Sequence, residues 1–383
     1  MNATRVRHVE SALIRLDQAR RGETPNLPLD LFLRRYFQAH KFLDSADRAW
    51  ISEKTYELYR WRGLLDHLTP QPHSWANRMR TFFLNDRWRS QTQNDKLPHN
   101  VRCSFPKELF ARMEGSLGTK AAIKVSNVLN EPPLTFLRVN TLKISRDKVF
   151  SFLLAKSVAV EKTVSSKSGL MLSSKQKLLD LPEYKLGYIE IQDESSQLIA
   201  QQVDAKPGQH VLDFCAGSGG KSLCVAPPML NRGHVYLHDT RDTKLSKSRR
   251  RMRKAGITNY TILPPSHPLL PKLRAKMDWV LVDAPCSQSG AIRRNPDMKW
   301  AYSDDRLWRW VAQQREIFEA ALKYVKDDGK IVYATCSVLD EENAQQVRFF
   351  CEKFGLYLSR PPLHALPQSR GMDGFFCATM ERR

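Results

Sequence analysis

Residues 210–221 read HVLDFCAGSGGK, an apolar run that leads into a turn with three glycines. An apolar run of this length that is bounded by glycine predicts a buried β-strand. Glycine lets the chain turn tightly and lets a ligand approach the backbone. Such a turn is weak evidence of binding when taken alone, since glycine turns also join strands to helices. The segment therefore predicts a strand, a turn and a helix, with the turn as a candidate ligand site.

Similar strand-like runs follow this segment, and helical patterns separate them. The runs cover residues 233–239, 259–263, 278–283 and 330–335. Between the last two, Ser303 can cap a helix that carries apolar residues at helical spacing. Alternating strands and helices predict an α/β fold, with a Rossmann-like domain built on a mostly parallel, doubly wound sheet. In such sheets, ligands bind where the strands end at their carboxyl edge.

The second strand-like run ends at Asp239, about 20 residues beyond the glycine turn, where an acidic side chain accepts hydrogen bonds from ribose hydroxyls. The turn lacks a dinucleotide fingerprint, because no glycine stands three positions after the second glycine of its Gly-Ser-Gly-Gly stretch. We therefore expect an adenosyl cofactor and favour S-adenosylmethionine over NAD. The expected cofactor-binding residues are Cys215, Ala216, Gly217, Ser218, Gly219, Gly220, Lys221, Asp239 and Asp283.

Two cysteines follow the last two of these strand-like runs. Asp283-Ala284-Pro285-Cys286 follows one run, and Thr335-Cys336-Ser337 follows the other. A single free cysteine is usually a small buried hydrophobic residue. Because both cysteines are expected at the ligand side of one sheet, a chemical role is favoured over simple packing.

These segments resemble the NOL1/NOP2/Sun family of RNA 5-cytosine methyltransferases. The resemblance rests on residues 213–221, 283–300 and 333–337, and residues 138–141, 187–196 and 373–378 are similar to further family segments in the same order. It covers the chain from about Pro133 to the end. The amino-terminal helical region, with Tyr36 and Tyr59-Arg60, is similar to the extra domain of the bacterial RsmB/Sun group, which modifies 16S ribosomal RNA.

The resemblance implies a role for each of four catalytic residues. Cys336 would add to C6 of cytosine, which activates C5 toward a methyl sulfonium. Asp283 would bond the N3 and amino edge of the base, and Cys286 would remove the C5 proton so that Cys336 can leave. Lys221 would hold Asp283 or the base edge, although a solvated lysine is an equally good interpretation from the sequence alone.

Two other functions stay open at this point. One is an RNA-binding ribosome assembly factor that retains the fold with weak catalysis. The other is an amino-group methyltransferase, but these typically carry Pro-Pro and an aromatic residue after the fourth strand, where this chain has Ala284-Pro285-Cys286. The glycine turn also lacks the proline usual in the family, and Pro264-Pro265 stands where a carboxylate often reaches adenine. Both departures leave the cofactor affinity open.

The charge predicts a nucleic-acid partner. The 383 residues carry 61 Lys and Arg against 40 Asp and Glu, a net charge of +21, which favours a polyanion. Seven of the eleven residues at 244–254 are basic. We expect RNA, such as ribosomal RNA or an assembling ribosomal subunit, to contact Arg249, Arg250, Arg251, Arg293, Arg294 and Lys299.

The pattern along the chain predicts three domains. Residues 1–130 form a helical domain that could bind RNA, residues 131–200 a small α+β subdomain, and residues 201–383 the methyltransferase domain. No signal peptide or membrane helix is expected. Seven cysteines without a C-x-x-C pair indicate a reducing cytoplasm, no disulfide framework and no metal site. A monomer is expected, and the target nucleotide stays open.

Overall fold

The computed structural model describes residues 2–22, 24, 27–84, 86–174 and 176–383. The chain divides into two compact units. The first contains residues 1–132 and 291–306, and the second contains residues 133–290 and 307–383. Residues 291–306 therefore group with the amino-terminal helices and not with the sheet that flanks them in sequence.

The first unit is helical, as its apolar spacing predicts. Its helices are α1 Ala3–Arg21, α2 Leu29–Ala39, α3 Ser45–Leu68, α4 Trp75–Leu84, α5 His99–Arg102, α6 Lys107–Leu117 and α7 Thr119–Leu129, with a 3-10 helix at Asp86–Gln93. The Asn2 side chain caps α1 by accepting from the Thr4 and Arg5 amides, and Asp44 caps α3. Leu13, Ile51 and Leu58 are fully buried in the core of this unit.

The second unit contains a small antiparallel sheet. Its strands are β1 Thr135–Val139, β2 Val160–Lys162, β3 Gly169–Leu172 and β4 Ile189–Ile191, in the order β2-β3-β1-β4, with helices α8 Arg146–Ala155 and α9 Pro182–Lys185. Leu137, Leu170 and Ile189 of the sheet form a core with Val149 and Leu153 of α8. The α+β character expected for this part of the chain is therefore present.

The large sheet holds the predicted parallel strands. Its strands are β5 His210–Asp213, β6 His234–His238, β7 Tyr260–Leu263, β8 Met277–Asp283, β9 Val325–Thr335, β10 Leu356–Leu358, β11 Leu363–Ala365 and β12 Phe375–Arg382. The order is β10-β12-β9-β8-β5-β6-β7, and β11 pairs with β12. Strands β5 to β9 are parallel, whereas β12 runs antiparallel to β9. This arrangement confirms the predicted mostly parallel α/β fold.

Both faces of the large sheet are covered. The helices that accompany it are α10 Glu194–Gln201, α11 Ser222–Val225, α12 Asp242–Ala255, α13 Asp304–Leu322 and α14 Ala344–Phe354. Val211 belongs to the core on one face and Leu212 to the core on the other, because successive side chains of a strand point to opposite faces. This double burial explains why the strands read as continuous apolar runs. Among the described helices, none has the length and hydropathy needed to cross a bilayer.

Candidate active site

A cavity of about 510 Å³ opens at the carboxyl edge of the parallel strands. Its walls come from the turn after β5, the start of α12 and the segments that follow β8 and β9. They include Cys215, Ala216, Gly217, Ser218, Arg241, Lys244, Lys247, Asp283, Ala284, Pro285, Cys286, Gln288, Trp310 and Cys336. The cavity is therefore at the sheet edge where the sequence predicts a ligand.

The two predicted cysteines meet in this cavity. Their Sγ atoms lie 3.5 Å apart. The register of the sheet explains this proximity, because Asp283 of β8 pairs with Ala334 of the parallel strand β9 and the chain continues from both in the same direction. Cys286 is buried, whereas Cys336 is partly exposed. The hydrogen bond with Cys336, followed by burial, raises the pKa of the Cys286 thiol well above its ordinary value.

Lys221 and Asp283 form an ion pair in the same part of the site. The Lys221 Nζ donates to Asp283 Oδ2 at 2.5 Å, and the lysine side chain is only 13% exposed. Burial favours the neutral amine, but the Asp283 carboxylate outweighs it and raises the pKa of Lys221. Lys221 is therefore not a solvated lysine, and it orients the carboxylate that faces the cavity.

The predicted ribose-binding carboxylate is already bound by protein donors. The Gly217 amide donates to Asp239 Oδ2 at 2.8 Å. Arg241 donates from Nε to Oδ1 at 2.9 Å and from Nη2 to Oδ2 at 2.8 Å. Burial opposes ionisation of Asp239, but the hydrogen bonds from Arg241 and Gly217 lower its pKa. A ribose would have to share this carboxylate with Arg241. Arg241 is not among the cofactor-binding residues that are expected from the sequence.

The glycine turn keeps its backbone close to the ligand side of the sheet. Gly217 has φ +53° and Gly219 has φ +79°, a left-handed backbone that favours glycine. A Cβ on Gly219 would lie 3.1 Å from Leu237 and from Ser248. Beneath the turn, Asp213 accepts from Ser222 Oγ at 2.6 Å, and its Oδ1 has no hydrogen-bond partner. An open turn beside buried carboxylate oxygens fits a nucleoside cofactor that donates hydroxyl and amino hydrogens.

Comparison with known proteins agrees with this geometry. The family described as 16S rRNA methyltransferase RsmB/F matches residues 200–381, and the RsmF/B-like ferredoxin-like domain matches residues 105–178. Ribosomal RNA small subunit methyltransferase B of Pectobacterium carotovorum subsp. carotovorum (strain PC1) is 32% identical over 300 residues, which cover 74% of this chain and 67% of that protein. The chain belongs to the RsmB/F methyltransferase family.

Solved structures share the fold of this chain. A methyltransferase homologue from Pyrococcus horikoshii is 28% identical, has a TM-score of 0.65, and is matched over 77% of this chain and 99% of its own. The protein PH0851 shares the fold over 100% of this chain and 99% of its own, with a TM-score of 0.80 and 22% identity. Membership in the RsmB/F family confirms the predicted NOL1/NOP2/Sun resemblance and S-adenosylmethionine as the cofactor.

Three of the residues predicted to contact RNA have other roles in this RsmB/F chain. Lys299 is fully buried and donates to the Arg60 carbonyl at 2.7 Å and to Asn130 Oδ1 at 2.8 Å, and Arg293 is 1% exposed. The prediction of RNA contact is wrong for both, because a buried side chain cannot reach a phosphate. Arg251 donates to Ser218 O and Oγ, both at 2.8 Å, and so braces the glycine turn.

The other residues predicted to contact RNA are accessible to solvent. Arg249 and Arg250 are exposed on α12, and Arg294 is partly exposed. Their contact with RNA stays a prediction. Among the described residues, no group of His, Cys, Asp and Glu side chains has the arrangement of a metal site.

Sequence reasoning missed several residues of this RsmB/F site. Trp310 and Gln288 line the cavity, and Gln288 has a left-handed backbone with φ +57°, which is uncommon for a residue with a side chain. Glu342 is completely buried and accepts from the Ser287 amide, next to Cys286. The sequence does contain a pattern that could have indicated Glu342. A serine follows each cysteine, and two glutamates follow Cys336 within six residues.

Proposed function

We propose that this chain methylates C5 of a cytosine in ribosomal RNA, with S-adenosylmethionine as methyl donor and a transient covalent bond between Cys336 and C6 of the base. The observation that carries the proposal is the 3.5 Å separation of the Cys286 and Cys336 sulfurs in a cavity that also contains the Lys221–Asp283 pair. The named relative acts on small-subunit ribosomal RNA, which supports this class of substrate.

Covalent addition overcomes the weak nucleophilicity of cytosine C5. The Cys336 thiolate forms a bond to C6, and the electron pair of the C5–C6 double bond becomes available at C5. S-adenosylmethionine supplies an electrophilic methyl group on a positively charged sulfur. Asp283, oriented by Lys221, bonds the N3 and amino edge of the base and holds a proton there while the ring carries the added sulfur.

Release of the product requires a second proton transfer. After methylation, the C5 carbon carries both the methyl group and the original hydrogen. Cys286 accepts that proton as a base, the electron pair re-forms the C5–C6 double bond, and Cys336 leaves as a thiolate. Because the two sulfurs are neighbours, Cys286 is within reach of the side of the ring at which Cys336 is attached.

The cofactor would be held by the glycine turn and by the carboxylates around it. Backbone groups of residues 215–220 would approach the ligand. Asp239 would accept from the ribose hydroxyls once Arg241 releases part of its hydrogen bonding to that carboxylate. Arg249, Arg250 and Arg294 supply phosphate contacts from the protein surface. We further propose that residues 1–130 assist RNA binding, that residues 131–200 and 201–383 form the two remaining domains, and that the chain acts as a cytoplasmic monomer.

The direct test is methylation of purified RNA. The protein is incubated with S-adenosylmethionine and unmodified 16S ribosomal RNA, free or in the small subunit, and the nucleosides are analysed by mass spectrometry. We expect 5-methylcytosine, and bisulfite sequencing then maps its position. RNA binding without methylation of either substrate would instead support an assembly factor, and an N4-methylated product would contradict the cysteine chemistry.

A further inference from the structure

A serine follows each of the two cysteines, and the first of these serines is hydrogen-bonded to a buried carboxylate. The Ser287 amide donates to Glu342 Oε1 at 2.8 Å, and the Ser287 hydroxyl donates to Oε2 at 2.5 Å. The Ser337 hydroxyl forms a hydrogen bond with the Ser287 hydroxyl at 3.3 Å. Since Ser287 and Ser337 are adjacent in sequence to Cys286 and Cys336, Glu342 is linked directly to the first cysteine segment and, through Ser287, to the second.

The network around Glu342 is buried and well supplied with donors. Glu342 is fully buried, and Gln314 Nε2 donates to its Oε1 at 3.0 Å. The same Gln314 nitrogen donates to the Pro285 carbonyl at 3.0 Å, directly before Cys286. Burial raises the pKa of Glu342, and the hydrogen bonds from Ser287 and Gln314 oppose that shift. These donors offset part of the cost of a negative charge on this buried carboxylate.

The charged groups near the two sulfurs differ in sign. Lys221 interacts electrostatically with Cys336. The ionisable groups that act on Cys286 include Cys336 and Glu342, and Tyr333 of β9 also lies within electrostatic reach. A nearby cation favours a thiolate, whereas a nearby anion disfavours one. The site therefore opposes negative charge on Cys286, whereas a lysine lies near Cys336.

We propose that Glu342 is a positioning residue that distinguishes the two cysteines, because its carboxylate accepts from Ser287, directly after Cys286, and so holds that segment in place and puts an acidic group near the Cys286 thiol. Cys336 then attacks the base, and the Cys286 thiol releases its own proton to solvent before it accepts the C5 proton. This inference rests on the proposed function, because the roles it explains are those of the methylation reaction. It also explains why two thiols so close together would not compete for the same carbon.

Alkylation of Cys286 tests the inference without RNA or cofactor. In full-length Cys336→Ser protein, the rate of iodoacetamide reaction at Cys286 is followed by peptide mass spectrometry over a range of pH, with and without Glu342→Gln. Glutamine keeps the volume and removes the charge. We expect Cys286 to react about tenfold faster in the double variant at a pH below its titration, because a fall of one unit in the pKa of Cys286 gives ten times more thiolate.

Three further variants separate charge from structure. Gln314→Met loosens the same network without changing its charge, and Glu341→Gln removes the same charge one residue earlier, so neither should match the effect. Glu342→Asp keeps the charge but withdraws it by one methylene, so its rate should lie between those of Glu342 and Glu342→Gln. It keeps the test available if Glu342→Gln does not fold.

The results of these experiments distinguish failure of the inference from failure of the proposed function. Unchanged Cys286 alkylation in a folded Glu342→Gln variant, or an equal increase in Gln314→Met, would overturn the inference. Because alkylation needs no methyl transfer, this outcome is independent of the proposed function. Failure of the methylation assay, with the expected alkylation pattern intact, would overturn the proposed function and leave only the electrostatic difference between the two thiols.

Discussion

The Sγ atom of Cys286 lies 3.5 Å from the Sγ atom of Cys336, although 50 residues separate the two cysteines in sequence. The pair exists because β8 and β9 are parallel neighbours that deliver both segments to one edge of the sheet. Two thiols in contact can share one reaction centre, with one as nucleophile and the other as proton acceptor.

Substitution of the cysteines should separate their roles. We expect Cys286→Ala protein to accumulate a covalent complex with RNA, because methylated product cannot lose its C5 proton. Cys336→Ala should form none, because the bond to C6 cannot form. Denaturing gel electrophoresis of labelled RNA measures the complex, and Cys351→Ala serves as a control outside the site. Equal amounts of complex in the two active-site variants would refute these roles.

The clamp of Arg241 on Asp239 predicts an effect on cofactor affinity. Arg241→Ala should bind S-adenosylmethionine about fivefold more tightly, because an ion pair with a half-exposed arginine, worth about 1 kcal/mol, no longer competes with the ribose hydroxyls. Removal of the arginine also lowers repulsion of a positively charged cofactor. Isothermal titration calorimetry measures the Kd.

The matched control for this substitution is Asp239→Asn, which should weaken binding, because the ribose loses its carboxylate acceptor. Weaker binding in Arg241→Ala would mean that Arg241 itself supports the cofactor, and the competition described above would then be wrong.

The exposed arginines of α12 predict the salt dependence of RNA binding. Arg249→Ala and Arg250→Ala should each reduce the slope of log affinity against log salt by about 1, because each removes one phosphate contact. Lys299→Met replaces a lysine that is buried away from solvent and should leave the slope unchanged. Filter binding at several salt concentrations measures the slope, and a smaller slope in the lysine variant alone would reverse the assignment.

The raised pKa of Asp213 predicts that the free energy of unfolding depends on pH. Burial is the largest cause that raises its pKa from 3.8 to about 7 in the folded protein. The folded state therefore binds more protons than the unfolded state between these values. The stability that this group contributes is complete below pH 3.8 and is lost as the pH rises to about 7, a change of a few kcal/mol in order of magnitude.

Asp213→Asn should remove this part of the pH dependence. Urea unfolding at several pH values between 3.8 and 7 measures the free energy of unfolding for the variant and the parent chain. The exposed carboxylate Asp204 offers a control, because Asp204→Asn should keep the slope of the parent. A parent-like slope in Asp213→Asn would show that other groups cause the pH dependence.

Much of the fold was predictable from local sequence. Double burial requires parallel strands to be apolar throughout, and glycine is needed where the backbone is left-handed, so strands such as β5 and the turn at Gly217 to Gly219 leave recognisable patterns. The rule that ligands bind at the carboxyl edge then marked Asp239, Asp283, Cys286 and Cys336 as candidates.

The burial of polar side chains and the identity of their distant partners could be determined only from the folded chain. Lys299 and Arg293 have the same basic chemistry as Arg249, and nothing in their local sequence distinguishes a lysine that donates to the Arg60 carbonyl from one that faces solvent. Arg241 and Glu342 were missed for the same reason, because their roles depend on partners that strand order and register bring near them. Local sequence specifies backbone preference and hydrophobic pattern, whereas the partner of a polar side chain depends on packing between distant segments.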